Sequence, residues 1–87
     1  MISKEIVVQN QVGLHARPAT FFIQKANEFT SSILITKDSK SVNAKSLLGV
    51  LSLGITRGTV VTLTADGNDE EAAVEGLANL VASNFAE

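Results

Sequence analysis

Apolar and polar residues recur along this chain with two different periods, and the changes of period mark its elements. Residues 2–9 alternate roughly with period two: Ile2, Ile6 and Val8 fall on one face, and Lys4 interrupts that face near the terminus. The pattern predicts a half-buried strand. The spacing then lengthens. Ala19, Phe22, Ile23 and Ala26 follow helical intervals, predicting an amphipathic helix over about 16–27 with Phe29 packed beneath its end. Residues 32–37 are rich in β-branched side chains and read as a strand. Asp38-Ser39 is a tight turn without the glycine of the strongest hairpin pairs, and 40–43 is a short returning strand. Ser46 precedes Leu47-Leu48-Gly49-Val50-Leu51-Ser52-Leu53 as an N-cap would, and Gly54 is the C-terminal stop. Leu47, Leu48 and Leu51, together with Val50 and Leu53, exceed what one narrow buried face accepts, so some must be exposed. Thr56-Arg57-Gly58 is a turn. Residues 59–66 alternate cleanly, with Val61, Leu63 and Ala65 on one face and Thr62 and Thr64 on the other, as in a sheet covered on one side only. Asp69 is placed to cap a last helix, with Glu70 and Glu71 in its first turn and Ala73, Val74, Leu77, Leu80 and Val81 as its buried stripe. The order is β-α-β-β-α-β-α. The economical packing is an α+β open-faced sandwich, a single domain over 1–87 with the helices on one face of the sheet.

Composition narrows the function classes. The chain has 87 residues, 45% of them hydrophobic, with four Phe and no Trp or Tyr, so its core is aliphatic. A net charge of −2 with scattered Lys and Arg gives no electrostatic case for nucleic acid. Cysteine is absent, which excludes disulfides and thiolate chemistry and suits a reducing cytoplasm. A lone histidine without cysteine argues against a transition-metal site. No apolar run approaches a membrane span and residues 1–5 carry no signal-peptide core, so a cytoplasmic protein is expected.

The candidate chemistry is concentrated in Val12-Gly13-Leu14-His15-Ala16-Arg17-Pro18-Ala19. The only histidine, the only proline and one of two arginines fall there within four residues. Pro18 precedes the helical pattern and suits a first turn, where its missing N–H has no intrahelical partner. Gly13 lets the incoming loop turn sharply. His15 and Arg17 therefore sit where a helix offers free N–H groups and partial positive charge, an anion site, and an imidazole there can serve as a nucleophile or general base. A phosphoryl group on it would meet those N–H groups and Arg17, with stabilisation mild enough for the group to leave again.

The segment Gly13–Ala19, with Lys45-Ser46-Leu47-Leu48-Gly49-Val50-Leu51-Ser52-Leu53-Gly54 thirty residues on, resembles the HPr family of histidine-containing phosphocarriers of the bacterial phosphoenolpyruvate-dependent sugar phosphotransferase system. The resemblance covers essentially the whole chain. It implies four antiparallel strands with three helices on one side, which agrees with the element order above. It also implies that His15 takes phosphate on Nδ1 from enzyme I and passes it to sugar-specific IIA components, with Arg17 assisting the phosphoryl group and no cofactor. In relatives of Gram-positive type the serine matching Ser46 is phosphorylated by HPr kinase/phosphorylase, and the product is a corepressor of catabolite control protein A. The resemblance thus implies a second modification site at Ser46 beside a docking surface of Leu47, Leu48 and Leu51, close to the His15 loop.

The chain departs from the Gram-positive pattern in having leucine where methionine is common, at Leu48 and Leu51, which keeps volume but loses adaptability. Relatives specialised for catabolite regulation, the Crh type, lack the active histidine; His15 therefore favours a transport carrier. Two other readings compete: a regulator working mainly through Ser46 and the leucines, and a small phosphatase on a related sandwich. For the latter, Arg17 is present but no matching phosphate loop is evident.

Overall fold

In the computed structural model, which describes residues 1–86, the predicted order appears element by element: β1 (Ile2–Val8), α1 (Ala16–Ala26), β2 (Ser32–Lys37), β3 (Lys40–Asn43), α2 (Leu47–Ser52), β4 (Thr59–Asp66) and α3 (Glu70–Ala82), closed by a 3₁₀ turn, Asn84–Ala86. The strands form one antiparallel sheet in the order β1-β4-β2-β3. Its register sets Ile2, Ile6 and Val8 of β1 opposite Ala65, Val61 and Thr59. Those residues share the helix-covered face with Val61, Leu63 and Ala65 of β4, and Ile33 and Ile35 of β2 lie there too. Thr62 and Thr64 line the open face, where Thr64 hydrogen-bonds Ser3 across the strands (3.0 Å). Lys4 opposes Leu63 on the covered side but stays exposed, because β1 is an edge strand. The β2–β3 turn forms without glycine: Asp38 (φ +50°) and Ser39 (φ +72°) both take left-handed backbone, the pair of conformations a type I′ turn needs.

Phe22 and Ala26 of α1, Val50 of α2 and Ala73, Leu77 and Val81 of α3 seal the core against the sheet. Leu80, placed in the buried stripe by spacing, is only half-buried; Ala78 is the more buried of the two. Phe29 is half-buried and lies against Gly76 of α3, where any side chain would press on its ring.

Asp69 differs from its expected role. It occupies the N-cap position of α3 but makes no side-chain cap hydrogen bond. Its carboxylate instead accepts from the Thr30 N–H (2.9 Å), the Ser31 N–H (3.0 Å) and the buried Ser31 hydroxyl. These donors, the hydroxyl first, hold its carboxyl at about 2, well below the ordinary 3.8. The 66–69 turn and the loop after α1 lie side by side, so the carboxylate joins two segments rather than closing its own helix. Glu70 supplies a local contact, accepting from the Gly67 N–H (3.2 Å) and pairing with the Met1 ammonium (2.9 Å).

Candidate functional site

The β1–α1 connection delivers the histidine. Val8 accepts a hydrogen bond from the Gly58 N–H (2.6 Å), which ties the end of β1 to the start of β4. The chain then turns: the Gly13 N–H donates to the Asn10 carbonyl (3.2 Å), and the Asn10 side-chain amide donates to the Gly13 carbonyl (2.8 Å). Gly13 has φ +64° and packs so tightly on Ile55 and Thr56 that a Cβ would collide with the Ile55 carbonyl oxygen. The Leu14 N–H donates to that same oxygen (3.0 Å), and the Leu14 side chain is buried in the core. The loop is therefore anchored immediately before His15.

His15 is the N-cap of α1, in extended backbone (φ −126°, ψ 156°), exposed and without a side-chain cap hydrogen bond. Ala16 follows with φ +53°, a conformation that costs a non-glycine residue about 1–2 kcal/mol. Helical backbone thus begins at Arg17, and Pro18 stands one residue inside it, buried with Ala19. This keeps the proline in the first turn, as its missing N–H requires, and leaves the N–H groups of Ala16 and Arg17 without intrahelical acceptors beside the imidazole. The Arg17 guanidinium lies over the Phe21 ring, 5.6 Å from its centroid, one turn along α1. Among the described residues it has no carboxylate partner. The arrangement suits a nucleophile whose product is an anion: an open imidazole, free backbone donors, and a cation held by a weak contact that it can leave.

Ser46 caps α2 as expected, accepting from the Gly49 N–H (3.1 Å). Lys45 is engaged elsewhere, donating to the Phe29 carbonyl (2.7 Å). At the other end of α2, Lys37 donates to the carbonyls of Leu53 (3.0 Å) and Gly54 (3.2 Å), a cation at a helix C-terminus. That C-terminal end leads through Leu53 and Gly54 to Ile55, the residue that clasps Leu14. Ser46 therefore sits one short helix from the His15 loop, about 10 Å along the α2 axis at 1.5 Å per residue. Of the candidate surface, Leu48 is 81% exposed and Leu47 42%, Leu51 is half-buried, and Val50 and Leu53 are buried. Val12, in the His15 loop, is a further exposed apolar residue, at 47%. Three contributors carry little pattern signal: Phe21 is one more apolar residue on α1, Ile55 follows a helix stop, and Asn10 is marked only as an amide three residues before a glycine.

Comparison with known proteins places the chain in a family. Residues 2–83 match the family described as the PTS HPr component phosphorylation site. The chain is 52% identical over 77 residues to the HPr-like protein Crh of Halalkalibacterium halodurans, covering 88% of this chain and 92% of the relative. It is 44% identical over 81 residues to the phosphocarrier protein HPr of Haemophilus influenzae, covering 93% and 95%. Among solved structures, HPr-C-His from Thermoanaerobacter tengcongensis superposes with a TM-score of 0.99 at 49% identity, covering 100% of this chain and 98% of that one.

Proposed function

The chain belongs to the HPr family, and from that premise we propose that it carries phosphoryl groups within the bacterial sugar phosphotransferase system, accepting them on His15 from enzyme I and passing them to IIA components. The observation that carries this reading is the open imidazole at the N-cap of α1, with the free N–H groups of Ala16 and Arg17 beside it. In the forward step the Nδ1 lone pair of His15 forms the N–P bond as the bond from phosphorus to enzyme I breaks. The phosphoryl oxygens then gain the helix N-terminus, and the Arg17 guanidinium leaves Phe21 to meet them. In the reverse sense the N–P bond breaks towards a IIA acceptor. His15 is regenerated each time, so the protein is a carrier that turns nothing over by itself, and cytoplasmic residence follows from those partners. Relatives named both HPr and Crh match the chain strongly; His15 supports transport as the primary role.

Regulation through Ser46 is part of the same proposal. Phosphorylation by HPr kinase/phosphorylase would replace a hydroxyl cap with a dianion at the N-terminus of α2, a position its dipole favours. Solvent ions, with a Debye length of about 8 Å at physiological ionic strength, screen direct repulsion between the two sites. The effect instead falls on partners that cover Leu47, Leu48 and Leu51. The exposure of Leu47 and Leu48 supports a docking face, and catabolite control protein A is the proposed partner of the Ser46-phosphorylated form. Incubation with phosphoenolpyruvate and enzyme I, read by mass spectrometry, tests the carrier reading: one phosphate is expected on the protein and none on His15→Ala. Equal labelling of both would refute it.

A further inference from the structure

We propose that Asn10 is a positioning residue for phosphoryl transfer, its side-chain amide fixing the peptide plane just upstream of His15. The proposal rests on His15 being the phosphoryl acceptor. Asn10 lies in a connection between elements yet is only 2% exposed. Its Nδ2 donates to the Gly13 carbonyl (2.8 Å), while the N–H of the same Gly13–Leu14 peptide group donates to Ile55 (3.0 Å). Carbonyl and N–H are the two ends of one rigid plane, so the plane cannot rotate without breaking a hydrogen bond at each end. Next in the chain come His15 and then Ala16 at φ +53°, a conformation that persists only where its surroundings over-determine it. Pro18 and Ala19, both buried, fix the downstream side; Asn10 and Ile55 fix the upstream side.

The second observation is an uncompensated atom. Asn10 Oδ1 is buried without a hydrogen-bond partner, and a buried acceptor lacking a donor is destabilising. Flipping the amide gives no relief, because it would set Oδ1 against the Gly13 carbonyl oxygen and lose the one donor present. An isosteric leucine would exchange one orphaned acceptor, Asn10 Oδ1, for another, the Gly13 oxygen. Stability alone therefore gives little reason for asparagine here. What leucine cannot do is donate to Gly13, which places the value of Asn10 in the geometry of the loop.

The test compares wild type, Asn10→Leu and Asn10→Asp by amide hydrogen exchange, thermal unfolding and steady-state transfer from phosphorylated enzyme I. Loss of one neutral hydrogen bond predicts exchange at Gly13 and Leu14 faster by about three- to tenfold, with β4 amides unchanged. It predicts kcat lower by a similar factor at constant KM, since no docking residue is altered, and a melting temperature for Asn10→Leu close to wild type. Asn10→Asp should match Asn10→Leu in rate, because a carboxylate cannot donate; if it fails to fold, Asn10→Leu decides. Unchanged exchange at Gly13 and Leu14, exchange raised equally through β4, or an effect confined to KM would each overturn the proposal. Should wild-type His15 accept no phosphate, the carrier reading falls and takes the transfer role with it, while the exchange data still report whether Asn10 holds the loop.

Discussion

Replacing Gly13 by alanine probes the anchoring of the His15 loop. Two penalties are separable, because the molecule offers a control. Gly54 has φ +61°, nearly the same as Gly13 at +64°, but a Cβ on Gly54 meets nothing within 4 Å. Gly54→Ala therefore carries only the cost of left-handed backbone, about 1 kcal/mol. Gly13→Ala carries that cost and a collision, since its Cβ would lie 2.7 Å from Thr56 Cα and closer still to the Ile55 carbonyl oxygen. Backbone, not a flexible side chain, is in the way, so the loop must move off Ile55 and give up the Leu14–Ile55 hydrogen bond (3.0 Å). Adding about 1 kcal/mol for that bond and a similar amount for disturbed packing of buried Leu14 gives a total of about 3 kcal/mol. For a domain of this size each kcal/mol lowers Tm by roughly 4–8 °C. Thermal unfolding followed by circular dichroism should then show a loss of roughly 4–8 °C for Gly54→Ala and of roughly 12–24 °C for Gly13→Ala. Below its own Tm, Gly13→Ala should also transfer phosphate more slowly than Gly54→Ala. Equal losses of stability in the two variants would refute the account of Ile55 as the wall behind the loop.

Three further outcomes follow from the same geometry. Arg17→Ala should change Tm little, because its exposed contact with Phe21 is worth about 0.5–1 kcal/mol, yet slow transfer to and from His15 by about tenfold or more through the lost charged contact; unchanged rates would remove Arg17 from the site. The Asp69 carboxyl has a folded pKa of about 2 against an ordinary 3.8, so its contribution to stability is present above that ordinary value and is lost as pH falls towards 2; urea denaturation between pH 5 and pH 2 should show a decline that Asp69→Asn flattens, and parallel curves would contradict the assignment. Ser46→Ala should cost about 1 kcal/mol by removing the cap on Gly49, whereas Ser46 phosphorylation should leave the fold intact by circular dichroism while weakening the encounter with enzyme I; equal enzyme I kinetics for phosphorylated and unmodified protein would reduce Ser46 to a cap.

Much of the fold was legible because its signals are local. The period-two run at 59–66 specified both faces of β4, and Asp38-Ser39 marked a hairpin even without glycine. The helix starts at Ser46 and near Pro18 were legible for the same reason. The exceptions depend on what lies across space. Asp69 has the residue type and position of an N-cap, but Thr30 and Ser31 present three donors that outcompete its own helix, and no spacing along the chain records that proximity. Leu80 continues the helical stripe of α3, but lies towards its solvent edge, where Phe21, Lys25 and Phe85 bound a cleft of about 300 Å³. At the site, His15 stood out by uniqueness and Arg17 by adjacency. The surroundings that fix them did not: Ile55 reaches Leu14 from forty-one residues away, and Asn10 acts through a side-chain hydrogen bond that only the folded turn creates.

The carrier claim is tested most directly by following one phosphoryl group in and out. The protein is phosphorylated with enzyme I and labelled phosphoenolpyruvate, purified, and mixed with a IIA component. One label per chain is expected, on His15, labile in acid and stable in alkali as a phosphoramidate, and it should move to the IIA component. Label that survives acid, resides on Ser46, or stays on the protein in the presence of a competent IIA acceptor would contradict it.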